Sequence, residues 1–249
     1  NESLRPVELS LDEPPGTTRF RDNSFSDNSV SCDYAAGRCP TSGFGGRVGQ
    51  AARFDGINDV LVLGPGAVSV SSGLFGVAAW VKTSATGTQI IAQQRGPSPD
   101  RDAYLLEVNG GKAHWLSYSS GASTPAFNLT STVVITDDQW HHVMGSGGGN
   151  QAQIYVDGVE VATNLSVPGV AFATDALSVT IGGDLLSNRR YFKGLLDDVK
   201  IVRDEATSGA GVQTLLDAAP NLSLHLDDAD GARVFVDDTR LHLDGGCFG

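Results

Sequence analysis

The sequence predicts an all-β fold, a two-sheet antiparallel jelly-roll sandwich, and three observations carry that reading. Between residues 50 and 203, short segments of strand-like alternation recur, separated by Gly, Asn, Asp and Ser. No stretch there sustains a helical period over three turns. Glycine is 31 of 249 residues, above the average usage of about 7%. These glycines keep no three-residue period, so they belong to turns rather than to a collagen helix.

Taken in order, the predicted strands are 60–63, 75–82, 89–93, 103–108, 112–118, 140–144, 152–156, 177–181 and 191–202. Asn109-Gly110-Gly111 and Asp157-Gly158 read as hairpin turns, because Asn, Asp and Gly tolerate the positive φ that a two-residue loop requires. A connector at 208–220 places Val212, Leu215 and Leu216 at helical spacing and ends at Pro220, which predicts a short C-terminal helix.

The two ends of the chain resemble each other. Residues 7–32 set beside 222–247 without a gap match Leu9 to Leu224, Leu11 to Leu226 and Asp12 to Asp227. Gly16 then matches Gly231, Phe20 matches Phe235, Asp22 matches Asp237 and Cys32 matches Cys247. Such self-similarity at fixed register is the signature of a repeat. The expected organisation is a jelly-roll domain over 1–205, a connector with a short helix over 206–220, and a partial first strand and loop of a following repeat over 221–249.

Seventeen Lys and Arg against 29 Asp and Glu give a net charge of −12 and a pI near 4.6. A phosphate-tracking surface needs the opposite sign, so nucleic acid is a poor partner. Apolar runs such as 77–81 fall far short of the roughly 20 residues that span a bilayer, so no membrane insertion is expected. The chain opens Asn1-Glu2-Ser3-Leu4 with no charged-then-apolar leader and is expected to be a processed or excised piece.

Cys32 and Cys39 lie close together in a loop-like stretch, a spacing that closes a small disulfide ring. Neither has a second Cys or a His at zinc-finger spacing, so metal binding is the weaker reading, and two free thiols are the alternative. A disulfide implies an oxidising compartment. Cys247 is then the odd cysteine, open to crosslinking two chains, and the tail to self-association at a sheet edge.

Six motifs follow in order: Phe54-Asp55-Gly56-Ile57-Asn58-Asp59-Val60, Val77-Ala78-Ala79-Trp80-Val81-Lys82, Asp138-Gln139-Trp140-His141-His142-Val143, Ile154-Tyr155-Val156-Asp157-Gly158-Val159, Ile181-Gly182-Gly183 and 192–201. Over roughly 4–203 the chain resembles the laminin-G-like family of concanavalin A-like jelly rolls. The resemblance implies tandem modules on secreted or cell-surface proteins that bind glycans or proteins. It also implies a structural Ca2+, held by an acidic residue of the early loop and one of the last strand.

The matching positions are Asp22, with Asn23 beside it, and the pair Asp197 and Asp198. Calcium takes six to eight oxygens, and the 22–24 loop is rich in them. Strand alternation puts Asp197 on the face of Val199 and Ile201, toward the interior, where a carboxylate needs a partner. His141 and His142 point opposite ways on a strand, so they cannot chelate one ion together.

A glycosidase of this fold would need carboxylates at alternating positions on one strand face. That pattern is absent, and Asp137-Asp138 and Asp197-Asp198 are adjacent and so diverge. Serine-nucleophile and phosphate-loop signatures are missing too. For binding, the 94–102 loop offers Arg95, Asp100 and Arg101, with Trp115 and Tyr118 as aromatic faces on opposite sides of a strand. The reading is a non-catalytic extracellular recognition or adhesion module, stabilised by Ca2+, for a glycan or an extracellular protein. The alternative is a spacer module of a repetitive surface protein, and less so a glycoside hydrolase or lyase.

Overall fold

A computed structural model describes residues 7–24, 28–33, 35–68, 74–95, 102–119, 122–167, 178–185, 187–203, 234–235 and 245–246. The chain divides into two compact units, Asn1–Val212 and Gln213–Gly249. In the first unit the strands are β1 (Val7–Leu9), β2 (Arg19–Phe20), β3 (Val30–Ser31), β4 (Thr41–Gly45), β5 (Gln50–Asp55), β6 (Leu61–Leu63), β7 (Phe75–Lys82) and β8 (Gln89–Arg95). They continue with β9 (Asp102–Asn109), β10 (Lys112–Ser117), β11 (Phe127–Val134), β12 (His141–Gly148), β13 (Gln151–Val156), β14 (Val159–Asn164), β15 (Val179–Ile181) and β16 (Lys193–Arg203). The second unit has β17 (Val234–Phe235) and β18 (Gly245–Gly246). No helix occurs among the described residues, and the helix expected in 208–220 lies outside them.

Two antiparallel sheets form the sandwich. One runs β14-β13-β12-β7-β16-β5-β4, with β1 also paired to β16. The other runs β11-β10-β9-β8-β15-β6-β3-β2. Inward residues alternate along each strand: Phe75, Val77, Ala79 and Val81 of β7 face Trp115, Leu106 and Tyr104 of the second sheet in one core. Both predicted hairpins form. Asn109 pairs with Lys112 across Gly110 and Gly111 (φ 59° and 82°), and Val156 with Val159 across Asp157 and Gly158 (φ 51° and 80°). Positive φ at both central positions is the turn that matches the twist of the strands.

Strands β3, β4, β5, β11 and β14 were not among the predicted ones. β11 alternates weakly because its outward residues meet solvent, and only Phe127 and Ser131 are buried within it. The run 145–149, Gly-rich in sequence, is largely strand β12: a Cβ on Gly145 would collide with the Trp115 indole, and one on Gly147 with Phe127. These glycines make room for Trp115, whose Nε1 donates to the Ser146 carbonyl at 3.0 Å.

β16 corrects a face assignment. Its pairing with β7 shifts register between Asp197 and Lys200, and Asp198 takes φ 47°. The extra residue is a bulge that reverses the alternation. Leu196 and Val199 both enter the core, while Asp197 pairs with Trp80 on the opposite, outward face. Asp197 is nonetheless fully buried there. Trp80 is half-buried on that outward face, with the Arg47 guanidinium 4.9 Å from its ring centre and His142 at 5.3 Å.

In the second unit Val234 pairs with Gly246 and Phe235 with Gly245. In the first, Arg19 pairs with Ser31 and Phe20 with Val30. The ungapped alignment of the two chain ends maps the first set of four residues onto the second, partner for partner.

Candidate ligand cleft at one end of the sandwich

The residues expected to hold a cation do not form one ligand set. Asp22 is a local organiser: its carboxylate accepts the backbone amides of Glu8 (3.0 Å), Ser24 (2.9 Å) and Asn28 (2.8 Å), tying β1 to Ser24 and Asn28. The Asn23 side-chain amide donates to Ser10 Oγ at 3.0 Å. Asp198 lies 3.8 Å from the Lys200 ammonium, which also meets Glu8 at 3.3 Å.

Asp197 Oδ2 accepts the Arg47 and Val48 amides at 2.7 and 3.1 Å, and its Oδ1 has no hydrogen-bond partner. Burial pushes this carboxyl up to about 7 against the lowering by the Val48 amide, and neighbouring Asp198 raises it further. Among the described residues no three acidic, His or Cys side chains gather to hold a metal. As arranged here, backbone amides engage Asp22, an ammonium stands beside Asp198, and the buried Asp197 Oδ1 is left without a partner.

The proposed aromatic platform separates as the strand parity requires. Trp115 is fully buried among Phe75, Tyr104 and Phe127, which corrects its reading as a ligand face: its large apolar ring fills the core instead. Tyr118 is half-buried. Asp100, Arg101 and the Arg95 side chain lie outside the described residues. His141 and His142 diverge: His141 bonds Asp157 at 2.8 Å and Asp137 at 3.1 Å. His142 is buried beside Trp80, and burial followed by the Lys200 charge lowers its pKa to about 4. Cys32 and Cys39 are joined in a disulfide, with Cα atoms 5.0 Å apart.

The sequence reading missed a cleft of about 450 Å³ at one end of the first sheet, lined by Arg53, Asp55, Lys82, Asp138, Lys193 and Leu195 among others. The cross-strand register builds it. Arg53 of β5 and Lys82 of β7 both pair with Leu195 of β16, so two cations flank one apolar side chain on the outward face. Lys193 pairs with Asp55 one step along.

The floor is held by buried polar groups. Thr83 Oγ1 donates to the Lys193 carbonyl at 2.6 Å, and the Lys193 amide donates to Gln89 Oε1 at 2.8 Å. The Gln89 amide nitrogen is in turn anchored by the Ala85 carbonyl. Gly194 takes φ 150°, and a Cβ there would strike the Lys82 carbonyl, so glycine lets β16 and β7 close up beneath the cleft. At the rim Asp138 takes φ 63° and its amide donates to the Thr83 carbonyl at 3.1 Å.

Comparison with known proteins gives the family. Residues 55–213, more than half of the chain, match a laminin G family model described as the concanavalin A-like lectin/glucanases superfamily. The chain belongs to this laminin-G-like family. No curated protein matches it.

Among solved structures, the binding domain of Paraclostridial Mosquitocidal Protein 1 is similar with TM-score 0.65 and 11% identity, covering 89% of this chain and 53% of that one. Domain 4 of AbnA, a GH43 extracellular arabinanase from Geobacillus stearothermophilus in complex with arabinotriose, gives TM-score 0.52 and 21% identity over 84% of this chain and 86% of that one. Domains LG4-5 of the mouse laminin alpha1 chain give 0.51 and 16%, covering 67% and 48%. The chain thus spans about half the length of the toxin domain and of the laminin pair. At these identities the likeness is one of fold, and the toxin neighbour is by its description a binding domain.

Proposed function

We propose that this chain is a non-catalytic extracellular recognition module that binds a glycan or an extracellular protein through the cleft at Leu195. The observation that carries the reading is the preformed pocket itself. Its backbone is pinned by Thr83 and Gln89, and charged side chains line it around the apolar Leu195, a mixture of polar and apolar groups suited to a binding site. The toxin binding domain and the arabinotriose-bound arabinanase domain on the same fold support the class. The Cys32–Cys39 disulfide supports an oxidising, extracellular setting.

The test is a glycan array together with a panel of extracellular proteins, probed with the whole chain. Binding that weakens when Leu195 is replaced by Asp supports the proposal. A chain that binds nothing on either panel is a spacer, and turnover of any polysaccharide overturns the non-catalytic reading.

The module is also proposed to repeat. The matched register of β2–β3 and β17–β18 supports reading residues 222–247 as the opening of a second copy.

A further inference from the structure

One histidine side chain joins the rim of the cleft to the neighbouring hairpin. His141 opens β12, and its ring lies between two carboxylates: Nδ1 is 2.8 Å from Asp157 Oδ2, and Nε2 is 3.1 Å from Asp137 Oδ1. Asp157 belongs to the β13–β14 turn, where its Oδ1 also accepts the His142 amide at 2.8 Å. Asp137 belongs to the loop that enters β12, where its Oδ1 also accepts the Gln139 amide at 3.0 Å. Between Asp137 and Gln139 stands Asp138, the rim residue of the cleft.

A carboxylate only accepts hydrogen bonds, so both contacts hold together only when both ring nitrogens donate, and only the imidazolium has two N–H groups. His114 on the other sheet differs. It lies 2.8 Å from Glu107 and 2.7 Å from Asn128 Oδ1, and an amide can turn either its oxygen or its nitrogen toward a ring. Among the described residues the charged groups that face His141 are its two aspartates, one from each element. Its cross-strand partner on β7 is the uncharged Val81, and the next residue, Lys82, lines the cleft. Burial alone would lower the His141 pKa, and the hydrogen bonds and charges of Asp157 and Asp137 outweigh it, raising the pKa above the ordinary histidine value.

Loss of the proton leaves one N–H for two carboxylates. The shorter contact, to Asp157, sits in a turn tied to β12 from both sides, since the Asp157 amide also donates to the His142 carbonyl at 2.8 Å. The neutral ring keeps that bond through Nδ1 and turns a lone pair on Nε2 toward Asp137, which repels it. The rim is then held by the bond from the Asp138 amide to the Thr83 carbonyl at 3.1 Å, with Asp138 at φ 63°, a backbone conformation that persists only where its surroundings enforce it.

We infer that His141 is a proton-operated latch on the cleft: charged, it ties Asp137, and with it the Asp138 rim, to the β13–β14 turn, and neutral, it releases the rim. That the rim serves a ligand rests on the recognition reading above. The latch itself does not. The cleft keeps its described form below the His141 titration and loosens as pH rises through it.

The experiment is an NMR pH titration of the whole isotope-labelled chain. The His141 ring is expected to carry both N–H protons at the acidic end and to titrate above the ordinary value of about 6.5. The Asp138 and Gln139 amides should shift with the same midpoint. Exchange of the Asp138 amide, corrected for its intrinsic rate, should speed up by about threefold or more once His141 is neutral. His141→Gln should abolish the shared titration, and Asp137→Asn should lower the His141 midpoint by about half a pH unit or more. His114→Gln should leave the Asp138 titration unchanged.

A His141 midpoint at or below about 6.5, Asp138 and Gln139 amides indifferent to it, or the same titration persisting in His141→Gln would each overturn the latch. A ligand found on the glycan or protein panel whose affinity is equal on both sides of the His141 midpoint would overturn its control of the cleft. A chain that binds nothing sinks the recognition reading alone, because the titration needs no ligand.

Discussion

At the scale of single residues, the buried carboxylates of Asp22 and Asp197 are engaged by backbone amides. Asp22 accepts three, so Asp22→Ala leaves three donors without an acceptor and should destabilise the fold by about 1 to 3 kcal/mol. A thermal melt reads this, and the same melt with chelator separates the roles: if Asp22 were a calcium ligand, wild type would itself lose stability in EGTA.

Asp197 and His142 flank Trp80 and titrate in opposite senses. The Asp197 pKa is raised to about 7 from 3.8, so its contribution is full below the unfolded value and is lost as pH rises through about 7. The His142 pKa is lowered to about 4 from 6.5, so its contribution is full above the unfolded value and is lost as pH falls through about 4. The two slopes oppose each other between those limits. Relative to wild type, Asp197→Asn should therefore gain stability as pH rises from about 4 to about 7. His142→Gln should gain it as pH falls from about 6.5 to about 4, each by at most about 1.4 kcal/mol per pH unit. Chemical denaturation across that range measures both, and parallel wild-type and variant curves would refute the assignment.

At the scale of elements, the glycines of β12 and the bulge of β16 decide what packs where. Gly145 lies against the indole of Trp115, so Gly145→Ala forces the ring or the strand aside and should cost about 1 to 3 kcal/mol, with a shift in tryptophan emission. Added Trp115→Phe frees space at the contact and should recover part of that loss if the clash is the cause. The bulge at Asp198 has the wider effect. By inserting one residue it keeps Leu196 and Val199 in the core while holding Leu195 and Asp197 outward, and Leu195 is the floor of the cleft.

At the scale of the whole molecule, covalent and repeat architecture make their own predictions. The Cys32–Cys39 link closes a short loop, and replacing both cysteines by Ser should cost about 2 to 3 kcal/mol on a chain-entropy estimate, read as a lowered denaturation midpoint. If residues 222–247 are a second copy of the opening segment, a chimaera carrying that stretch in place of 7–32 should fold to a module of similar melting temperature. The inward positions Leu9, Leu11 and Phe20 are preserved in it as Leu224, Leu226 and Phe235. A chimaera that fails to fold while a conservative multi-site variant of 7–32 still folds would defeat the equivalence.

The sequence by itself determined the all-β class, the two hairpins, the family and the cysteine pair. Each depends on near neighbours in the chain: a period of two, a pair of residues tolerant of positive φ, a motif of six or seven positions, a short ring. It did not determine which way Asp197 faces, because alternation holds only until a bulge adds a residue, and nothing local to Asp197-Asp198 announces one. Nor did it reveal the cleft, whose cations Arg53, Lys82 and Lys193 come from three strands far apart in sequence. Only the register that sets Arg53 and Lys82 on either side of Leu195 turns three scattered charges into one site, since cross-strand neighbours are chosen by the pairing of sheets and not by distance along the chain.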